Sequence, residues 1–355
     1  MQKSSEDIAR YVYLVNVKYT NKQNKTKEIF FKYLEENKTP KEFEKEISKI
    51  WDNVNHDFMD QQIKKLQKTV NQQNVEQAVN IGRMYKTPSY KETNYWVIDN
   101  EYFKLTPESE FIRFEQKYKK NVVRNYERSQ MAINSYDKDT YLANKLDTYN
   151  KNVNQVITYF SKEGLPLRKV QLSTYLSMLH NTDLTRAGWN QTMGDADKLN
   201  ANRFIIPYHP FCCNECYYYM NRPLSRLEVE QLIDKTYNMD IVEILTGEKE
   251  QTVGEILHPN CKCTLSIYWS DTQIASISYS PMEIDKQYKI RQKINGLTLE
   301  KSNLRTDIRI AQELGNQEKV DKYKARVSVI NSNIRSLKSE LPTSSLQKQA
   351  TAIKR

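Results

Sequence analysis

The sequence predicts a mainly α fold, with long helices around a small α+β module built on clustered cysteines and a C-terminal antiparallel helical hairpin. Three observations carry this. Apolar residues recur every three or four positions over much of the chain, which is the spacing of one helix face. Only eight glycines occur in 355 residues and 28% of residues are charged, a mix that suits an open helical architecture better than a deep enzyme core. All five cysteines (Cys212, Cys213, Cys216, Cys261, Cys263) and two of the four histidines (His209, His258) fall between positions 209 and 263.

The elements follow in order. Thr39-Pro40-Lys41-Glu42 is a capping box with proline at the first helical position. Behind it Phe43, Ile47, Ile50, Val54 and Phe58 form an amphipathic stripe that continues through Ile63, Leu66 and Val70. Residues 84–105 lose the period and read as a loop or short hairpin. Thr106-Pro107-Glu108 opens a helix with Phe111, Phe114, Tyr118 and Val122 on one face. A third stripe covers Leu142, Leu146, Tyr149, Val153, Val156 and Phe160, ended by Gly164 and Pro166. The stripes at 43–70 and 111–160 are expected to serve as contact surfaces for partners. Leu167 to Asn200 reads as two helices, with a break near Asn181-Thr182-Asp183 and a cap at Thr182 or Asp183. RFIIPY (203–208) and TLSIYW (264–269) read as strands flanking a helical stretch at 224–245, with turns at Gly247 and Gly254. His56 and His180 lie in helical patterns and read as surface or cap residues.

The C-terminal pattern is the most regular. Ile290, Ile294, Leu297, Leu304, Ile308 and Ala311 keep heptad spacing, with Lys301 in one seam position. Gly315-Asn316 breaks the run, and Val320, Tyr323, Val327, Ile330, Ile334, Leu337 and Leu341 resume it until Pro342. Two seams joined by a tight turn predict an antiparallel hairpin. The chain divides into a helical N-terminal domain (1–164), a central module (165–275), the basic hairpin (285–342) and a flexible tail (343–355). Of the net charge of +10, residues 285–355 supply nine, with 16 Lys/Arg against 7 Asp/Glu. Double-stranded DNA is therefore a candidate partner through residues 285–355, beside the plainer reading of a solvated hairpin. No apolar run approaches the roughly 20 residues of a membrane span, and the start has no hydrophobic leader core. Phosphate loops, Gly-rich dinucleotide turns and Gly-x-Ser-x-Gly elbows are absent, so an enzyme is not expected.

Cys213-Asn214-Glu215-Cys216 has the spacing of a metal knuckle, and His258-Pro259-Asn260-Cys261 repeats that spacing with an imidazole first. Structural zinc takes four cysteine or histidine ligands in a tetrahedron. Cys213, Cys216, His258 and Cys261 supply such a set, and Cys263 competes for the fourth place. His209 and Cys212 form a further His-x-x-Cys pair that ranks below these. A packed cluster of thiols without metal and a redox Cys-x-x-Cys pair are the alternatives. The expected centre is a zinc-knuckle module whose ion is structural.

CNEC followed by HPNCKCTLSIYW resembles the signature of the tailed-phage head-morphogenesis family, the Mu F-like minor head or minor capsid proteins. TDLTRAGWNQTMGDADKLN (182–200) is similar to that family's helix, with Asp183 where glutamate is usual. Lys262 stands where the family carries arginine, and the span between the two cysteine pairs is longer than the family's. The resemblance covers about residues 165–270. It implies a minor structural protein of the virion, at the portal vertex inside the capsid, assisting head assembly and DNA packaging or delivery. Portal protein and a major capsid or scaffold protein are the implied partners. The alternative is a zinc-stabilised nucleic-acid-binding protein acting outside the virion.

Overall fold

The structure is a computed structural model that describes residues 2–52, 56–80, 105–160, 166–209, 212, 214–237, 261–269 and 280–341. It is mainly helical. The helices are α1 (Gln2–Glu35), α2 (Pro40–Trp51), α3 (Asp57–Asn80), α4 (Glu108–Ile133), α5 (Lys138–Tyr149), α6 (Leu172–Lys198), the single turn α7 (Asn214–Tyr217), α8 (Arg226–Tyr237), α9 (Pro281–Glu313) and α10 (Gln317–Ser339). A π-helical turn, Asn150–Asn154, leads from α5 into an antiparallel strand pair, β1 (Gln155–Phe160) and β2 (Pro166–Gln171). Strands β3 (Arg203–Ile205), β4 (Pro223–Ser225) and β5 (Ser266–Ile267) form an antiparallel sheet in the order β4-β3-β5. Among the described residues, no helix is long and apolar enough to cross a membrane.

Helix α6 is the spine. Its 27 residues rise about 40 Å, and 23 of them are buried. Leu172, Tyr175, Leu176 and Leu179 join the main core with α1, α2, α4, α5 and the hairpin, while Trp189, Met193 and Ala196 join a second core inside the module. A helix covered on every side shows no apolar stripe. The expected break at Asn181-Thr182-Asp183 does not exist, because these polar residues face partners: Asp183 Oδ1 accepts the Thr106 N–H at 3.0 Å and its hydroxyl at 2.9 Å. Nor is His180 a surface residue. It is fully buried, and burial holds its imidazole down at about pKa 3. His56 lies just before α3, its Nε2 3.5 Å from the buried carboxylate of Glu115.

Other local expectations held or failed for identifiable reasons. The capping box at Thr39 and Glu42 is present, but the helix behind it ends at Trp51 and a new one starts at Asp57. Phe43, Ile47, Phe111, Phe114, Tyr118 and Val122 are buried in the main core, so these members of the stripes pack within the chain and do not face a partner. The stripe from Leu142 holds to Val153. It then becomes β1, whose run Gln155-Val-Ile-Thr-Tyr-Phe160 is rich in β-branched and aromatic residues. Helix α1 was not anticipated: buried Thr20, Gln23, Asn24, Thr26 and Lys27 interrupt its apolar pattern. Residues 84–104, Gly247 and Gly254, and the tail 343–355 lie outside the described residues.

The hairpin turns at Gly315, whose φ of +67° favours glycine. Its first helix begins at Pro281 under a second capping box, Ser280 with Glu283. Helix α9 leans on the body through Lys27 and Asp307, a buried ion pair that links α1 to α9. Burial lowers the Lys27 pKa and raises that of Asp307, each against the pull of the other. Beside it, Asp147 of α5 accepts Lys319 and Tyr323 of α10. Removing one member of such a pair strands a buried charge, whereas replacing both with apolar groups costs little. Asp307→Ala should therefore destabilise the chain by about 3–5 kcal/mol in denaturant titration, and Lys27→Met/Asp307→Leu should recover most of the loss. Equal stability of Asp307→Ala and the unaltered chain would remove the pair from the hairpin's attachment.

Helix α3 is tied to α6 by a second buried charge. Asp195 Oδ1 accepts Asn71 at 2.8 Å and Gln191 at 2.7 Å, and Oδ2 accepts Asn74 at 2.8 Å. Burial pushes this carboxyl up from 3.8 to about 6, although the three amides and Lys198 pull it down. Between these values the folded chain holds more protons than the unfolded one. The contribution of Asp195 is therefore complete below about pH 4 and lost as pH rises through about 6, some 3 kcal/mol in all, roughly. Asp195→Asn, whose amide can turn to keep two of the bonds, should flatten that part of the stability-versus-pH curve. An unchanged slope in the variant would exclude Asp195 as its source.

Candidate metal centre

Two segments meet at the centre. The first is the loop that follows β3. Asn221, in the left-handed region at φ 54°, donates its N–H to Ile206 O at 2.8 Å and accepts the Tyr208 N–H on Oδ1 at 2.9 Å. These bonds close the loop from 206 to 221 at its base. Inside it the Cys212 N–H donates to His209 O at 3.2 Å, and α7 presents Cys216.

The second segment, 261–265, leads into β5 along α6. Asn181 Nδ2 and Thr185 Oγ1 donate to Cys261 O at 2.6 and 2.9 Å. Trp189 Nε1 donates to Cys263 O at 2.9 Å, and Thr192 Oγ1 to Leu265 O at 2.9 Å. Asn181 and Thr185 share one carbonyl, and the step from Thr185 to Trp189, about 6 Å of helix, matches the two residues from Cys261 to Cys263. Cys261 and Cys263, two residues apart, thus lie side by side along the helix. The sequence reading missed these four α6 donors. Their spacing of four, four and three was the available signal, but polar residues at 181–183 had been read as a break.

The sulfurs of Cys216, Cys261 and Cys263 lie within 4.8 Å of one another, all buried. Cys216 Sγ is 3.7 Å from Cys261 Sγ, and the Cys263 N–H points at Cys261 Sγ from 3.4 Å. Ligand sulfurs at about 2.3 Å from a tetrahedral ion stand about 3.8 Å apart, so the spacing fits a shared ion. It is far from the 2 Å or so of a disulfide, and these cysteines are free thiols. His209 Nε2 is 3.3 Å from Cys263 Sγ. The structure thus brings Cys261 and Cys263 together with Cys216, so they are neighbours in one cluster. Cys213 and His258 lie outside the described residues.

The electrostatics suit a cation. Burial pushes the His209 pKa down to about 4, so its ring is neutral at pH 7 and keeps a lone pair to donate. A hydrogen bond with Cys216 pulls the Cys263 thiol down, but its bond with Cys261, burial and neighbouring thiols raise it well above the usual range. Without a cation the Cys263 thiol holds its proton; an ion that binds thiolates releases protons as it does so. Burial lowers the Lys262 pKa against the pull of Cys261 and Cys263. The three-thiol cluster can hold a metal ion.

Comparison of the chain with protein-family models, with curated proteins and with solved structures finds no match.

The α6 bonds give a direct test. Asn181→Ala/Thr185→Val leaves the buried Cys261 carbonyl without its two α6 donors, which should cost about 1–3 kcal/mol in chemical denaturation. Stability equal to that of the unaltered chain would separate these bonds from the integrity of the module.

Proposed function

We propose that the chain is a minor structural protein of a tailed-phage head, associated with the portal and inner capsid and assisting head assembly and DNA packaging or delivery. One observation carries the reading. The two stretches behind the family resemblance, 182–200 and 261–269, are far apart in sequence yet bonded to each other through Thr185, Trp189 and Thr192. Motifs that meet in space belong to one working unit. The unit is small, buried and tied to long helices, as an architectural part requires. Its metal serves structure in this reading: Cys216 has no exposed surface, and Cys261 and Cys263 have 4% and 1%. So buried a cluster suits a structural ion better than a catalytic one, and in this reading the chain carries out no reaction.

The hairpin favours DNA contact as a second property. Lys286, Lys293, Arg305, Lys324, Arg335 and Lys338 are exposed along α9 and α10. Such a row binds phosphates without regard to sequence, and its affinity falls steeply with salt.

Mass spectrometry of purified virions and procapsids tests the proposal. The protein should be present at low copy and remain with portal-containing assemblies. Absence from both particles, with abundance in the infected-cell lysate, overturns it in favour of a metal-stabilised nucleic-acid-binding protein. In that case Lys286→Glu/Lys293→Glu/Lys324→Glu/Lys338→Glu should abolish salt-sensitive DNA binding. Reversal of charge is preferable to deleting the hairpin, which would leave Lys27 buried without Asp307.

A further inference from the structure

We infer that the ion is zinc held by Cys216, Cys261, Cys263 and His209, so that the histidine of the centre comes from the loop after β3. This rests on the reading that the thiols bind metal, and holds whether or not the chain works in a phage head.

Three sulfurs define one face of a tetrahedron and leave one corner. His209 Nε2 stands 3.3 Å from Cys263 Sγ, outside the group of three sulfurs that all lie within 4.8 Å of one another, so its ring closes in on the other two as the ion binds. A zinc–nitrogen distance of about 2.0 Å and a zinc–sulfur distance of about 2.3 Å put those corners about 3.5 Å apart. The ring is 1% exposed, so it is committed to this interior and to no surface role. Its backbone is set independently of any ion, since Asn221 holds Ile206 and Tyr208 immediately before it. Both donors of the first segment, His209 and Cys216, therefore sit in one loop closed at its base, and both donors of the second, Cys261 and Cys263, sit two residues apart in the segment before β5.

Charge favours the same set. Three thiolates, a neutral imidazole and a divalent ion sum to −1, whereas four thiolates would leave −2 in the same interior. Lys262 lies within electrostatic reach of Cys261 and Cys263, and Arg291 of α9 within reach of Lys262 and His209. Cations at this range offset a single negative charge. A closed tetrahedron of three sulfurs and one nitrogen is a structural zinc geometry. Cys212, three residues beyond His209 in the same loop, is the competing donor and would give an all-sulfur shell, as Cys213 would.

X-ray absorption at the metal edge on the protein with the metal it carries when purified reads the shell directly. The expected result is one zinc per chain with three sulfur scatterers and one nitrogen. In His209→Cys the nitrogen scatterer should disappear while the metal stays, because a fourth sulfur takes its corner. His209→Ala should give up zinc to a chelator that the unaltered protein resists. Four sulfurs in the unaltered protein, or a nitrogen scatterer that persists in His209→Cys, overturns the assignment of His209 but leaves a metal centre. Iron in place of zinc in the protein as purified overturns zinc. Protein that takes up no metal at all overturns both this inference and the metal reading beneath it.

Discussion

The row of donors on α6 that meets the backbone carbonyls of the cysteine segment is the constraint on which the rest of the molecule depends. Side chains at 181, 185, 189 and 192 reach carbonyls at 261, 263 and 265. Each bond alone contributes about 1 kcal/mol, but together they fix the height and rotation of the cysteine strand against the spine. A shift of one residue along the strand would turn both thiols away from Cys216. The centre therefore depends on α6 being straight and continuous through the polar positions that look most like a break.

The same helix settles the placing of its other neighbours by polar contacts. Apolar side chains hold helices together without specifying their axial position closely. Asp183 meets Thr106 at the entry to α4, and Asp195 gathers Asn71 and Asn74 from α3. The hairpin uses the same device, with Lys27 and Asp307 on one contact and Asp147 with Lys319 and Tyr323 on the next. These buried charges and amides mark where each element must sit, while aromatic packing around Phe30, Phe43 and Tyr126 supplies the cohesion.

What could be read from the sequence was local. Thr39 with Glu42, the stripe from Phe111, and the turn at Gly315 each announce themselves within a few residues. The crowding of cysteines likewise pointed to Cys216, Cys261 and Cys263. Helices α1 and α6 escaped because both carry buried polar residues where periodicity looks for apolar ones. Strand β1 escaped because Val156 and Phe160 happen to continue a helical spacing, although the composition of that run is that of a strand. The α6 bonds join residues 73 to 80 apart, and no short-range pattern encodes such a meeting. His209 ranked low for the same reason: its spacing to Cys212 is visible in sequence, and its approach to Cys263 is not.

The link between Lys27 and Asp307 also bears on how the chain folds during synthesis. The two residues are 280 positions apart. At roughly 5–20 residues per second, a ribosome takes about 15 to 60 seconds to make that interval. Throughout it, the interior face of α1 must wait with its lysine unmatched. Long-range contacts of this kind slow folding, since chain entropy is lost before they form. Helix α1 is thus completed in two stages: its aromatic partners Phe43, Tyr126 and Tyr149 follow within about 120 residues, and the partner of its lysine only after 280.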